Sequence, residues 1–200
     1  MRTEVLRAGR REDMERAAAL LRGGRIVAFP TETVYGLGAR ADDAAAVAEL
    51  QRLKRRPKEK RFALLIASPG DALRCGAPGP AALALARVLW PGPLTLVIPD
   101  GKGGDVGLRC PDCEPTLELL RLVGTPLAAP SANLSGEPPA ATAEQVLQVF
   151  DGRIAAVLDG GPSRLTVPST VVRVLGAEVE VLREGAIPET QIREALSRLD

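Results

Sequence analysis

Residues 26–38, IVAFPTETVYGLG, decide how the rest of the chain reads. The first four, Ile26-Val27-Ala28-Phe29, form a short apolar run rich in β-branched and aromatic side chains, the pattern of a strand buried on both faces. Pro30 ends ladder pairing on its own amide because it has no N–H to donate. Behind it Thr31, Glu32, Thr33 and Tyr35 supply three hydroxyls and a carboxylate within five positions. Gly36 and Gly38 then permit a tight turn or a close backbone approach to a ligand. A Thr-Glu-Thr segment can satisfy its own amides in a plain turn. Directly after a buried strand and before two glycines, it reads as a polar ligand-binding edge.

Working outward, residues 12–22 place Met14, Ala18, Leu20 and Leu21 near one helical stripe, stopped by Gly23-Gly24. Asp42 or Asp43 caps a helix running to about Arg55, with Val47, Leu50 and Leu53 apolar at helical spacing. Residues 62–67 read as a second buried strand, Ser68 as the cap of a short helix, and 81–90 as a helix closed by Pro91. Strands at 94–98 and 106–109 make a hairpin with a glycine-rich tip (Gly101, Gly103, Gly104) expected to be mobile. A helix over 115–123 stops at Gly124, and a short strand at 126–129 enters the Ser-Ala-Asn loop. Thr142–Gln145 is a capping box for a helix to Phe150. Strands at 154–158, 170–174 and 178–182 and a helix at 189–198 complete the chain. Strands alternate with helices while hairpin-like pairs interrupt the alternation. The expectation is α/β: a single domain over residues 1–200, with a twisted mixed sheet and flanking helices.

Composition narrows the class. Two hundred residues, 46% hydrophobic and 26% charged, suit one globular domain with a substantial core. Aromatics make up 2%, so that core must come from Leu, Val, Ile and Ala. A net charge of +1 excludes a globally basic nucleic-acid binder but not a local patch. The N-terminal residues show no apolar h-region, and no apolar run reaches membrane-span length. Three cysteines, an odd number, argue against a disulfide framework. The expectation is a soluble cytoplasmic protein with no membrane partner.

Chemistry concentrates in few places. Residues 52–61, RLKRRPKEKR, hold seven basic side chains and one acid. Cations suit a helix C-terminus, but these continue past Pro57. A triphosphate needs several cations at fixed positions, and RNA phosphates would attract the same cluster. Neither a Walker P-loop nor a dinucleotide glycine fingerprint is present. Ser131, Asn133 and Ser135, in APSANLSG, and Ser169-Thr170 are either loop hydroxyls tied to neighbours or, with the basic run, phosphate ligands joined by Arg183. With no histidine in the chain, Ser-His-Asp and Cys-His triads and His metal sites are excluded. Catalysis must rest on positioning and charge. Cys110-Pro-Asp-Cys113 is open to three readings: a redox pair with a lowered thiol pKa, a zinc half-site, or a substituted loop.

Seven motifs taken in order resemble those of the YrdC/Sua5 family, the threonylcarbamoyl-AMP synthases of tRNA modification. They are PTETVYGLG, Lys54-x-Arg56-Pro57, Trp90-Pro-Gly-Pro-Leu-Thr95, Arg109-x-Pro111, Ala129-Pro-Ser-Ala-Asn133, Pro168-Ser-Thr-Val-Val172 and Arg183-x-Gly185. Together they span roughly residues 20–186. The resemblance implies a YrdC-like fold and a nucleotidyltransferase that joins L-threonine, bicarbonate or CO₂ and ATP into threonylcarbamoyl-AMP and pyrophosphate. It implies that Thr33 contacts threonine, Arg109 pairs with its carboxylate, Ser169 hydrogen-bonds it and Tyr35 lines the pocket. Lys54 and Arg56, as catalytic cations, and Lys60 would face the ATP phosphates with Ser131, Asn133 and Arg183. Mg²⁺ would accompany ATP, with no protein metal ligand assigned. The implied partners are downstream tRNA threonylcarbamoyl transferase proteins and a tRNA contact through the basic face. Four positions depart from the family pattern. Arg61-Phe62 replace a common Pro-Leu, Leu65 stands where a His is common, and Arg173 replaces an acid. The C-terminal domain of longer Sua5-type members is expected to be missing. Two other readings remain: a non-catalytic RNA-binding member, and a related carbamoyl-adenylate domain with another substrate.

Overall fold

The computed structural model describes residues 2–56, 61–176 and 178–197. Ten strands form one mixed sheet. In chain order they are β1 (Glu4–Arg7), β2 (Val27–Phe29), β3 (Gly36–Arg40), β4 (Leu64–Leu65), β5 (Leu94–Pro99), β6 (Asp105–Arg109), β7 (Leu127–Ala128), β8 (Ala156–Asp159), β9 (Thr170–Leu175) and β10 (Glu178–Arg183). Across the sheet they run β1-β8-β2-β3-β7-β4-β6-β5-β9-β10. The flanking helices are α1 (Arg11–Arg22), α2 (Ala44–Lys54), α3 (Ala72–Cys75), α4 (Pro80–Leu89), α5 (Glu114–Val123), α6 (Ala143–Phe150) and α7 (Glu189–Ser197). The expected α/β class and mixed sheet are what the chain forms. Among the described residues no helix is long and apolar enough to cross a membrane.

Local chemistry sets most boundaries. Asp43 accepts from the Ala45 and Ala46 amides at the start of α2, both at 3.0 Å, satisfying two orphan donors of the first turn. Gly124, at φ 80°, closes α5 in the left-handed region. Thr142 caps α6 through the Gln145 amide, but the Gln145 side chain accepts from Ala141 rather than closing the expected box. In α1 the buried stripe is Met14, Ala17, Ala18 and Leu21, with Ala17 in place of Leu20.

Two elements depart from the sequence reading. Gly36 and Gly38 do not turn the chain; they lie in β3, antiparallel to β2. A Cβ on Gly38 would sit 2.4 Å from the Phe29 ring, so glycine there makes room for an aromatic side chain on the neighbouring strand. The hairpin tip is tied rather than loose. Asp100 accepts from the Lys102 and Gly104 amides at 2.8 and 2.9 Å and pairs with Arg61.

Period-2 alternation places the core and leaves a working face. On β2, Val27 and Phe29 join the larger apolar cluster, and Ala28, with Ile26 just before the strand, joins a second one with Leu50, Leu53 and Phe150. On β5, Leu94, Leu96 and Ile98 enter the larger cluster while Thr95 and Val97 face a cavity. On β6 and β9, Leu108 and Val172 go inward, and Gly107, Arg109 and Val171 face the same cavity.

Candidate active site

That cavity has a volume of about 660 Å³. Its floor is the working face of β4, β6, β5 and β9, where the register pairs Leu65 with Arg109, Thr95 with Val171 and Val171 with Arg183. Its walls are the 31–36 segment, the end of α2 and the loop after β7.

At one end the Thr-Glu-Thr segment meets β6. Thr31 donates its hydroxyl proton to the Val34 carbonyl at 2.6 Å and receives the Thr33 and Val34 amides. Its single proton is thereby used, so Thr33 donates to Thr31 across 2.8 Å and accepts from Arg109 Nη2 at 2.9 Å. Local satisfaction and a ligand-facing edge therefore share one segment. Arg109 Nε donates to the Gly92 carbonyl at 3.3 Å, and Nη2 lies 2.8 Å from Glu32 in a nearly fully buried ion pair. Ser169 shares a proton with Thr95 across 2.9 Å, and Arg183 donates to the Ser169 carbonyl at 2.7 Å. This approach needs Gly185, where a Cβ would meet the Pro168 carbonyl oxygen at 2.3 Å. Burial, then the nearby Arg109 charge, pushes the Arg183 guanidinium below its ordinary value.

At the other end α2 meets the loop after β7. Lys54 is 3% exposed. Its ammonium donates to the Ser131 carbonyl at 2.6 Å, the Asn133 carbonyl at 2.5 Å and Asn133 Oδ1 at 2.9 Å. Ser135 returns a bond to the Lys54 carbonyl at 2.7 Å. Burial, then Arg56, pushes Lys54 down to about 8, so it remains protonated at neutral pH. Arg56 stacks 5.2 Å above the Phe62 ring and donates to the Arg61 carbonyl. Arg52, by contrast, is 75% exposed in a surface pair with Glu49.

The cavity thus gathers Thr33, Tyr35, Lys54, Arg56, Arg109, Ser131, Asn133, Ser169 and Arg183; Lys60 lies outside the described residues. Three differ from their expected stance. Lys54 spends all three donors on the loop, so within this arrangement it holds Ser131 and Asn133 instead of standing open to a phosphate. Arg183 sits beside Ser169 and Arg109, not with the Lys54 group. Tyr35 borders the cavity, but its ring is fully buried, and its hydroxyl donates to the Gly161 carbonyl and accepts from the Gly160 amide. Burial pushes that phenol up to about 12, which removes it as a base.

The cysteines take no such part. All three are free. Burial pushes Cys110 up to about 11 and raises Cys113, the opposite of a redox-active thiol. Among the described residues no group of three or more His, Cys, Asp or Glu is placed to hold a metal ion. Thr95 had no assigned role in the sequence, though its place opposite the apolar residues of Leu94-Thr-Leu-Val-Ile98 was a signal, and Glu32, expected on the ligand-binding edge, lies outside the cavity lining and faces Arg109.

The site is a cavity in a mixed-sheet α/β fold, lined by convergent cations and hydroxyls, a chemistry suited to small anionic ligands. Comparison with known proteins agrees with the motif resemblance. The Sua5_yciO_yrdC family model, described as "Telomere recombination", matches residues 19–185, and the chain belongs to this family. It is 42% identical over 187 residues to the threonylcarbamoyl-AMP synthase of Bacillus subtilis, covering 88% of this chain and 54% of that one. It is 40% identical over 194 residues to the threonylcarbamoyl-AMP synthase of Pyrococcus abyssi, covering 92% and 57%. The chain therefore spans just over half the length of these curated relatives. The solved structure of P. abyssi Sua5 complexed with L-threonine superposes with a TM-score of 0.91 at 37% identity, covering 98% of this chain and 61% of that one.

Proposed function

We propose that the chain forms L-threonylcarbamoyl-adenylate from L-threonine, CO₂ or bicarbonate, and ATP, for the threonylcarbamoyl modification of tRNA. The observation that carries this reading is the division of one cavity into two polar ends. Arg109, Ser169 and Thr33 suit an amino-acid carboxylate and hydroxyl. Arg56 and the Ser131–Asn133 loop suit phosphate oxygens. The synthase relatives and the threonine-bound neighbour support the same assignment.

The threonine amine attacks CO₂, forming the N–C bond of a carbamate and releasing a proton. A carbamate oxygen then attacks the α-phosphorus, the bond to the β-phosphate oxygen breaks, and pyrophosphate leaves. Both nucleophiles come from substrate, which suits a chain without histidine. The protein's work is to hold the ends in line, exclude water from the carbamate and offset developing charge. Mg²⁺ is proposed to arrive with the triphosphate and neutralise its charge. Among the described residues Asp105 is the one carboxylate lining the cavity, enough for an ion that keeps its waters and takes phosphate oxygens. Arg183, placed with Arg109 and Ser169, is assigned to the boundary between the two ends.

The reaction is assigned to the cytoplasm, where ATP is available, with the product passed to a tRNA-modifying transferase. The test is pyrophosphate release with each substrate omitted in turn. Release is expected to need threonine, bicarbonate and ATP together, and no tRNA. Steeply salt-dependent tRNA binding without pyrophosphate would instead identify an RNA-binding module.

A further inference from the structure

Glu32 has no task in the reaction as proposed, yet its side chain is 1% exposed. One carboxylate oxygen lies 2.8 Å from Arg109 Nη2, and neither oxygen has a hydrogen-bond partner among the described residues. Glu32 is not among the residues lining the cavity, whereas Arg109 is. Burying a carboxylate with so little compensation is costly, so its effect must be sought in the guanidinium it touches.

A guanidinium has five N–H donors, one on Nε and two on each terminal nitrogen. In Arg109 the Nε donor goes to Gly92. Nη2 donates to Thr33 and lies against the Glu32 carboxylate at 2.8 Å, a contact of charge rather than a directed hydrogen bond. Nη1 makes no hydrogen bond among the described residues. The guanidinium is therefore held on two sides and open on one.

We propose that Glu32 is a positioning residue: by occupying Nη2 it confines an incoming substrate carboxylate to the Nη1 edge of Arg109 and prevents a bidentate grip. The inference rests on the threonine reading of this end of the cavity. An anion held by one edge binds less tightly, but its direction is set by the groups around that edge. A fork-on-fork contact through Nη1 and Nη2 would be stronger and would rotate the ligand. Glu32 also supplies the counter-charge of Arg109 in the empty site. Neutralising it would leave the guanidinium uncompensated until a carboxylate arrives. Both effects favour tighter and less productive binding.

Glu32→Gln keeps the shape and removes the charge. Calorimetric titration is expected to give a threonine Kd at least about fivefold below that of the parent chain, and initial rates a kcat at least about tenfold lower. L-Threonine methyl ester, which lacks the carboxylate, is expected to bind both proteins alike. Unchanged or weaker threonine binding by E32Q, with the parent chain binding threonine measurably, overturns the proposal; a purely structural role would weaken threonine and ATP together. A parent chain that binds no threonine overturns the substrate assignment first, and this inference with it. If E32Q is not folded alone, circular dichroism should show L-threonine, but not its methyl ester, restoring the folded signal. Absence of that recovery also overturns the proposal.

Discussion

At the Ser131–Asn133 end of the cavity one lysine donates all three of its protons to a loop. At the Arg109–Ser169 end two guanidiniums lie close enough for one to depress the other, and Arg109 keeps an unused edge. Both groups are cations lining one cavity, and charge alone would assign them the same task. Donor accounting separates them. A cation whose donors are satisfied by protein serves as scaffold and shapes what neighbouring groups present. A cation with a donor to spare beside a second positive charge is a place where an anion belongs.

The sharpest way to break this contrast is to remove Arg109. Arg109→Ala strands Glu32 as a buried, unpaired carboxylate, so chemical denaturation should show a loss of about 3–5 kcal/mol. Removing Glu32 as well, in E32A/R109A, should recover most of it, because a buried pair replaced by neutral groups is often neutral in stability. A single variant as stable as the parent would mean that the pair is solvated.

Lys54→Met probes the scaffold end. Its loss leaves three oxygen acceptors without their cation, and ATP affinity should fall by about 2–3 kcal/mol as the loop loses its shape. Threonine affinity should change far less in the same titrations. Arg56→Ala should weaken ATP binding by about 2 kcal/mol through loss of one charge-assisted contact. Arg52→Ala, in an exposed pair, should change it by less than about 0.5 kcal/mol. Equal effects would reduce the basic run to a diffuse surface charge.

A further contrast lies in pH. Burial pushes Lys54 down to about 8 from its ordinary value of 10.5, so the folded chain binds this proton less tightly than the unfolded chain. The cost of burying the charge is full below pH 8 and is relieved as pH rises from 8 toward 10.5. The Lys54 contribution should therefore raise stability over that window. ATP affinity should decline over the same window, because a neutral amine donates fewer bonds to the loop. ATP affinity and denaturation midpoint falling in step above pH 8 would contradict the scaffold role.

Much of this was legible in the sequence, for identifiable reasons. Leu94-Thr-Leu-Val-Ile98 shows its alternation openly, and Asp43 and Gly124 announce helix ends that the structure forms. β1 stayed hidden because only Leu6 of its four residues is buried. β3 stayed hidden because its glycines read as turn formers until the Phe29 ring is seen between strands. The residues that line the cavity could be named from types and motifs, but not which of them bond to one another. Lys54 bonds main-chain carbonyls 77 and 79 positions away, and main-chain oxygens leave no mark in a residue pattern. Glu32 faces Arg109 across 77 positions of sequence, so neither position alone reveals the pairing.

The central claim, that one cavity holds a carboxylate at its Arg109 end and ATP at its Lys54 end, is tested most directly in the E32A/R109A double variant. It removes the carboxylate-binding group without leaving a buried charge behind. Calorimetric titration should show threonine affinity reduced by at least about tenfold, as expected for a lost charge-assisted contact, and ATP affinity within about threefold of the parent chain. Threonine binding that survives intact, or ATP binding lost to the same extent, would contradict the account.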